Sequence, residues 1–304
     1  MNAIHGLLLF SILLSGGCAT VKAPLAPSKV NVRADLVIMD GRTGEPMTWS
    51  AAMDRLQMAD IVVIGEQHDD ATGHAVQLAV TENLLSNGRG ALALEMLERD
   101  EQHLIEDYRD GIIDAETFAT LTHSTDWSGG GSWAAWYQPC IDAAIDRGSV
   151  VIAANAPRRY VKQARKVGWE SLAKLDMDRR KLVSHPDHPI DGQYRERFFE
   201  LMGGHDESNE ADQEVVESFY RAQQVWDATM ARSSIDALGA HGPPVILLVG
   251  RFHSDWSGGT VNQIQRRAPS ARVLTISLEP QCGGLETSKS NPQADLIICT
   301  GPLR

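Results

Sequence analysis

The stretch Ile61-Val62-Val63-Ile64-Gly65-Glu66-Gln67-His68-Asp69-Asp70 decides how this chain folds. Four apolar, mostly β-branched residues run straight into ionisable chemistry, the pattern of a buried strand that ends abruptly at a polar edge. A second copy lies far downstream, where Val245-Ile246-Leu247-Leu248-Val249 leads into Gly250-Arg251-Phe252-His253. Both read as strand followed by Gly-x-x-His. Ligands of open parallel sheets bind where strands end at their carboxyl edge. Two such ends, each with a histidine three residues past a glycine, point to one shared site.

Working outward, the pattern repeats with variations. Ala91-Leu92-Ala93-Leu94 runs into Glu95, and Val150-Val151-Ile152-Ala153-Ala154 runs into Asn155, followed by Pro157-Arg158. Between these strands lie helical stretches: about 48–58 with Thr48 as N-cap, 73–86 closing at Asn87-Gly88, 99–108, 114–121 and 133–147. Continuously apolar strands alternating with helices predict an α/β fold, a mostly parallel sheet flanked by helices. From about 157 to 240 no strand pattern appears, and this segment is expected to be a helical insertion or cap. Strands resume at 245 and 272, with a helix at 260–267 between them. Leu296-Ile297-Ile298 is expected to pair antiparallel at the sheet edge. Asp-Trp-Ser-Gly-Gly occurs at 126–130 and 255–259 with unrelated flanks, which reads as two similar turns.

The composition, 43% hydrophobic and 22% charged, is that of a globular protein, and 304 residues can bury a large core. A net charge of −12 argues against a nucleic-acid partner, which leaves a basic footprint. No stretch after residue 20 is apolar for long enough to span a bilayer. Residues 1–17 read as a signal peptide with an apolar core from Gly6 to Leu14. Gly16-Gly17-Cys18 resembles a bacterial lipoprotein box, although no Lys or Arg precedes it. Cys18 is then the expected lipidation site, 18–34 a Pro-containing tether, and 35–304 the folded domain. Ala19 after the cysteine resembles an outer-membrane address, so the expected location is the periplasmic face of a Gram-negative outer membrane. In an exported chain Cys282 and Cys299 are the more plausible disulfide pair.

The strand ends collect Glu66, His68, Glu95, Asn155, Arg158 and His253. Two imidazoles with one or two carboxylates suit a divalent metal held by His68, Glu95 and His253. They suit equally well a metal-free acid–base pair in which a carboxylate fixes a histidine tautomer. In the helical segment, Gln223 and Asp227 are four residues apart on one helix face and can support the same site. Tyr194, Phe198, Phe199 and Met202 form an apolar stripe in a region that also holds His185, His188 and His205, a patch suited to a flat apolar ligand.

Taken in order, Gly-Glu-Gln-His-Asp, Leu-Glu-Met, Ala-Asn-Ala-Pro-Arg, Ala222-Gln223 with Trp226-Asp227-Ala228-Thr229-Met230-Ala231, and Gly250-x-x-His253 resemble the ChaN family of haem-binding uptake lipoproteins, within the Tiki superfamily. The resemblance implies a membrane-anchored protein of haem and iron acquisition. It also implies a homodimer enclosing stacked haems, with a tyrosine as axial ligand. Tyr194 is the favoured ligand and Tyr220 the second, with His185 and His188 nearby. Related branches of the superfamily imply the alternative, an envelope hydrolase of esterase or peptidase type using His68, His253, Glu95 and Glu66, metal-dependent or based on His and Glu alone.

Overall fold

In a computed structural model of the chain, the described residues are 30–202, 210–281 and 290–301, with the side chains of 210–212 excepted. The strands are β1 (Ile38–Asp40), β2 (Pro46–Met47), β3 (Ile61–Glu66), β4 (Ala91–Glu98), β5 (Val150–Asn155), β6 (Val245–Gly250), β7 (Val273–Glu279) and β8 (Leu296–Cys299). They form one sheet in the order β2-β1-β8-β7-β3-β6-β4-β5. Every neighbouring pair from β8 to β5 is parallel, and β1 is antiparallel to both its neighbours.

The helices are α1 (Trp49–Leu56), α2 (Ala71–Leu84), α3 (Gln102–Arg109), α4 (Ala115–Leu121), α5 (Gln138–Asp146), α6 (Arg158–Val167), α7 (Met177–Arg180), α8 (Gln193–Leu201), α9 (Glu210–His241) and α10 (Gly259–Arg267). Thr48 caps α1 by accepting from the Ala51 amide at 3.2 Å. Asp70 caps α2 by accepting from the Thr72 amide at 3.0 Å, so α2 begins two residues before the glycine expected to open it.

The unbroken apolar runs are explained by burial on both faces. Val62, Ile64, Leu92, Leu94, Ile246 and Leu248 pack with α1, α2 and α5. The alternate residues, Ile61, Val63, Ala91, Ala93, Val245, Leu247 and Val249, pack with α9 and α10. Side chains alternate across a strand, so a strand covered on both sides needs an apolar residue at every position. Each buried Val, Leu or Ile contributes about 1.5–3 kcal/mol over exposure, which makes these strands the least adjustable part of the molecule.

One expectation needs correction. Leu296–Cys299 does not close the sheet as an antiparallel edge: it lies inside, parallel to β7 and antiparallel only to β1. Residues 280–295 separate it from β7, and a connection of that length can return the chain to the same end of the sheet, as parallel pairing requires. Cys299 on this strand is disulfide-bonded, whereas Cys18 and Cys282 lie outside the described residues. Cys140 is a free, buried thiol.

Between β5 and β6 the described residues form no strand, only helices α6 to α9 and the turns and irregular segments that join them. Buried Tyr160, Trp169, Leu172, Ala222 and Val225 hold α6 and the following turn against α9. Ile190, Tyr194, Phe198, Met202, Val216 and Tyr220 hold α8 against α9. Among the described residues no helix is long and apolar enough to cross a membrane.

Candidate functional site

Register brings the two Gly-x-x-His segments together. β3 and β6 are adjacent and paired residue for residue, from Ile61 with Val245 to Glu66 with Gly250. Their polar tails therefore leave the sheet at the same height. Gly65 is needed for this: a Cβ there would lie 2.3 Å from Ser254 Oγ.

Glu66 is 2% exposed, and each carboxylate oxygen is held. Oε1 accepts from the Tyr137 hydroxyl and from His68 Nδ1, both at 2.7 Å. Oε2 accepts from Gln77 Nε2, and His74 Nδ1 stands 3.7 Å away. His74 is oriented by its own contacts, Nδ1 to Gln77 Oε1 at 2.8 Å and Nε2 to the His68 carbonyl at 3.1 Å. Trp136 stacks on its ring at 4.6 Å. Burial opposes ionisation of Glu66, but His74, His68 and the Tyr137 hydroxyl outweigh it and hold the carboxyl at about 2. For His68 burial again opposes the charge, and the hydrogen bond and charge of Glu66, with Glu95 and Asp69, push the imidazole up to about 9.

The second histidine is more deeply held. His253 is 3% exposed, and its Nδ1 lies 2.7 Å from Asp227 Oδ1. Its Nε2 faces Glu95 Oε1 at 3.6 Å. Burial works against the imidazolium, and Asp227 and Glu95 overcome it, so the proton affinity of His253 is raised. Glu95 is fixed through Oε2, which accepts the Gly250 amide at 2.6 Å. The β4–β5 ladder breaks after Leu94 and resumes at Glu98, an irregularity that frees the Glu95 carbonyl to accept Asn155 Nδ2 at 2.8 Å.

Gln223 and Asp227 both reach the cluster from α9. Asp227 is fully buried, and besides His253 it accepts from Thr260 Oγ1 at 2.8 Å and from the Tyr194 hydroxyl at 2.6 Å. Its carboxylate lies at the start of α10, where the helix dipole favours negative charge. Gly259 makes the room: a Cβ there would sit 2.0 Å from Asp227 Oδ2.

Several candidates are placed elsewhere. Arg158 is exposed; its guanidinium pairs with Glu98 at 3.4 Å and lies over Trp127, so it is not assigned to the two-histidine cluster. His188 is exposed, and His185 stacks on Trp169 at 6.0 Å. For the metal set, His68 and His253 each give Nδ1 to a carboxylate, Glu66 and Asp227, the Nε2 of His253 faces Glu95 Oε1, and Glu95 Oε2 accepts the Gly250 amide. Among the described residues no group of three or more His, Cys, Asp or Glu side chains is arranged to hold a metal ion. Tyr194 is not apart from the strand ends, as its place in a separate aromatic patch suggests; Asp227 joins it to His253.

Conversely, Tyr137, His74, Gln77 and Thr260 belong to the site and are not among the residues singled out from sequence. The i,i+3 spacing of His74 and Gln77 on α2 was the one available signal for that pair.

Next to the cluster, Asp255 is 3% exposed, and its Oδ2 accepts Gln293 Nε2 at 2.9 Å while Oδ1 has no hydrogen-bond partner. Burial pushes its carboxyl up from 3.8 to about 6, against the pull of Arg251, Gln293, Ser277 and Arg197. The folded state thus holds this proton more tightly than the unfolded chain, and stability falls as pH rises from 3.8 to about 6. Asp255→Asn imitates the neutral acid. It is expected to stabilise the protein at pH 7.5 by up to about 3 kcal/mol and to have little effect at pH 4, read from urea midpoints at the two pH values.

The two tyrosines expected to meet haem are both buried. Tyr194 is 6% exposed, its hydroxyl donates to Asp227 and accepts from Gln223 Nε2 at 3.1 Å, and burial with Asp227 holds the phenol well above its ordinary range. Tyr220 is 1% exposed and donates to the Ile190 carbonyl. Neither phenol fits an open axial ligand as it stands. An open groove of about 610 Å³ lies beside Tyr220, lined largely by charged residues, among them Glu170, Asp191, Arg195, Glu196, Glu217 and Arg221.

An α/β sheet with two carboxylate-held histidines at its carboxyl edge, under a helical cap, defines the class. The chain belongs to the haem-binding uptake family ChaN of the Tiki superfamily, whose family description matches residues 52–264. A solved structure of ChaN of Campylobacter jejuni, described as showing cofacial heme binding, is similar with a TM-score of 0.66 at 21% identity, covering 88% of this chain and 97% of that one. The type III effector HopBA1 is more distant, with a TM-score of 0.47 at 11% identity over 90% of this chain and 100% of that one, and nothing is built on it. No curated protein matches the sequence.

Proposed function

We propose that this chain is a lipid-anchored haem-binding protein of haem and iron acquisition, held to the membrane through Cys18 and working as a homodimer around haem. The family match over residues 52–264 carries the reading. The sequence adds its lipoprotein-like start. The test is a haem titration of the soluble protein beginning at Ala19, with its size measured by light scattering before and after. A saturable Soret band with a doubling of mass is expected; an unchanged spectrum sinks the reading. Cys18→Ser should move the full-length protein from the membrane fraction to the soluble one.

A second reading is favoured by one specific observation, the line Asp227–His253–Glu95. A buried carboxylate fixes one nitrogen of an imidazole, as an acid–base histidine needs, and the other nitrogen faces a second carboxylate. It supports an envelope hydrolase of ester or peptide bonds, with His68 held by Glu66 alongside. Metal analysis should accompany an ester and peptide screen. Activity that survives His68→Ala combined with His253→Ala removes this reading.

A further inference from the structure

We infer that Tyr194 is a positioning residue of the strand-end site, fixing Asp227 and through it His253, and that its phenol is not the group that binds iron. The second half addresses the haem reading above without depending on it.

The geometry is one of complete commitment. Asp227 has no exposed surface, and its two oxygens meet three donors: Tyr194, His253 and Thr260. Gly259 closes the remaining side, because any larger residue would overlap the carboxylate. His253 and Thr260 share Oδ1, so the Tyr194 hydroxyl is the side-chain donor to Oδ2. Without it, a buried carboxylate oxygen would be left unsatisfied, and the cheapest relief is rotation of the carboxylate away from His253. Gln223 reinforces the arrangement from one turn earlier on α9. Its Nε2 donates to the Tyr194 oxygen and sits 3.2 and 3.3 Å from the two ring nitrogens of His253.

The ring of Tyr194 is as constrained as its hydroxyl. Phe252, immediately before His253, packs on it at 5.1 Å, and Tyr220 packs at 6.0 Å. Helix α8 is therefore joined to the segment after β6 by an apolar contact and to α9 by a charge-assisted hydrogen bond. Releasing the phenol toward an iron would break the bond to Asp227 and expose a carboxylate the fold has fully enclosed.

The experiment compares wild type, Tyr194→Phe and Tyr220→Phe. The Nδ1 proton of His253 is followed by NMR in ¹⁵N-histidine-labelled protein, and haem is titrated into each. Tyr194→Phe is expected to accelerate exchange of that proton at least about tenfold, because a charge-assisted bond that orders its acceptor is gone. Tyr220→Phe, whose hydroxyl serves a backbone carbonyl, should leave it unchanged. The haem affinity and Soret maximum should be the same in Tyr194→Phe as in wild type. Unchanged exchange in Tyr194→Phe overturns the positioning role, and loss of the Soret band overturns the statement about iron. Should wild type itself show no Soret band, the haem reading falls while the exchange measurement still decides the positioning role. If Tyr194→Phe does not fold, wild-type protein carrying 3-fluorotyrosine replaces it. With gallium protoporphyrin, a diamagnetic stand-in for ferric haem, a Tyr194 fluorine shift that stays in place supports the inference, and one displaced by a new oxygen–metal bond overturns it.

Discussion

Asp227→Ala is expected to cost about 3–5 kcal/mol, the range for removing one partner of a buried ionic pair. Three donors lose their acceptor at once: the Tyr194 hydroxyl, His253 Nδ1 and Thr260 Oγ1. All three lie in space that holds no bulk water, and the alanine leaves a cavity at the start of α10. Asp227→Asn should cost less, since one oxygen can still serve His253 and Thr260, while its amide opposes the Tyr194 donor. Urea denaturation of the three proteins at pH 7 gives the ranking directly. A loss below about 1 kcal/mol for the alanine variant would mean that the network is open in solution.

Glu66→Gln is expected to produce the second large effect, and one that depends on pH in a fixed direction. The folded carboxyl at about 2 lies below its ordinary 4.5, so its contribution is present above pH 4.5 and is lost as pH falls toward 2. The span corresponds to about 3 kcal/mol at neutral pH. Its partner behaves oppositely. The His68 imidazole at about 9 contributes fully below 6.5 and loses its contribution as pH rises through 9. That side chain is 40% exposed, so solvent screens it and no separate energy is assigned. The substitution should therefore destabilise at pH 6 and become nearly neutral near pH 2. It should also lower the pKa of His68, because the largest influence raising it is removed. Histidine NMR titration checks the second outcome; a His68 that still titrates near 9 would show that Glu95 and Asp69 hold its proton instead.

The sheet was legible because strands buried on both faces leave an unmistakable record: Ile61–Ile64 and Val245–Val249 contain no polar residue. The candidate site was legible where chemistry sits at or just past the ends of such strands, at Glu66, Glu95 and His253. Lateral order was not legible. Nothing in Leu296–Cys299 distinguishes an interior strand from an edge, because order depends on what the connecting residues allow. Asp227 and Gln223 could be paired by helical spacing, but their target could not be read. Tyr194 stood out as aromatic, and its contact with Asp227 spans 33 residues, a separation at which sequence gives the group and withholds its partner. Tyr137 was hidden for the same reason, 71 residues from the carboxylate it serves.

The second Asp-Trp-Ser-Gly-Gly segment has a local task that its twin does not share. At 255–259 its first residue is the raised carboxyl of Asp255 and its last is the glycine that clears Asp227. At 126–130 Asp126 instead accepts the Gly131 amide at 2.8 Å and closes its own turn. Identical short strings here serve different neighbours.

β6 runs in step with β3 on one side and β4 on the other, Val245 pairing with both Ile61 and Ala91. The strand thus acts as the gauge that sets how far His253 projects. One residue inserted within it would carry His253 about 3.3 Å along the strand axis and send the apolar side chains to the wrong faces. Length variation among proteins that keep this site should therefore be absent from β6 and concentrated in the connections of the cap, where a turn can lengthen without moving either histidine.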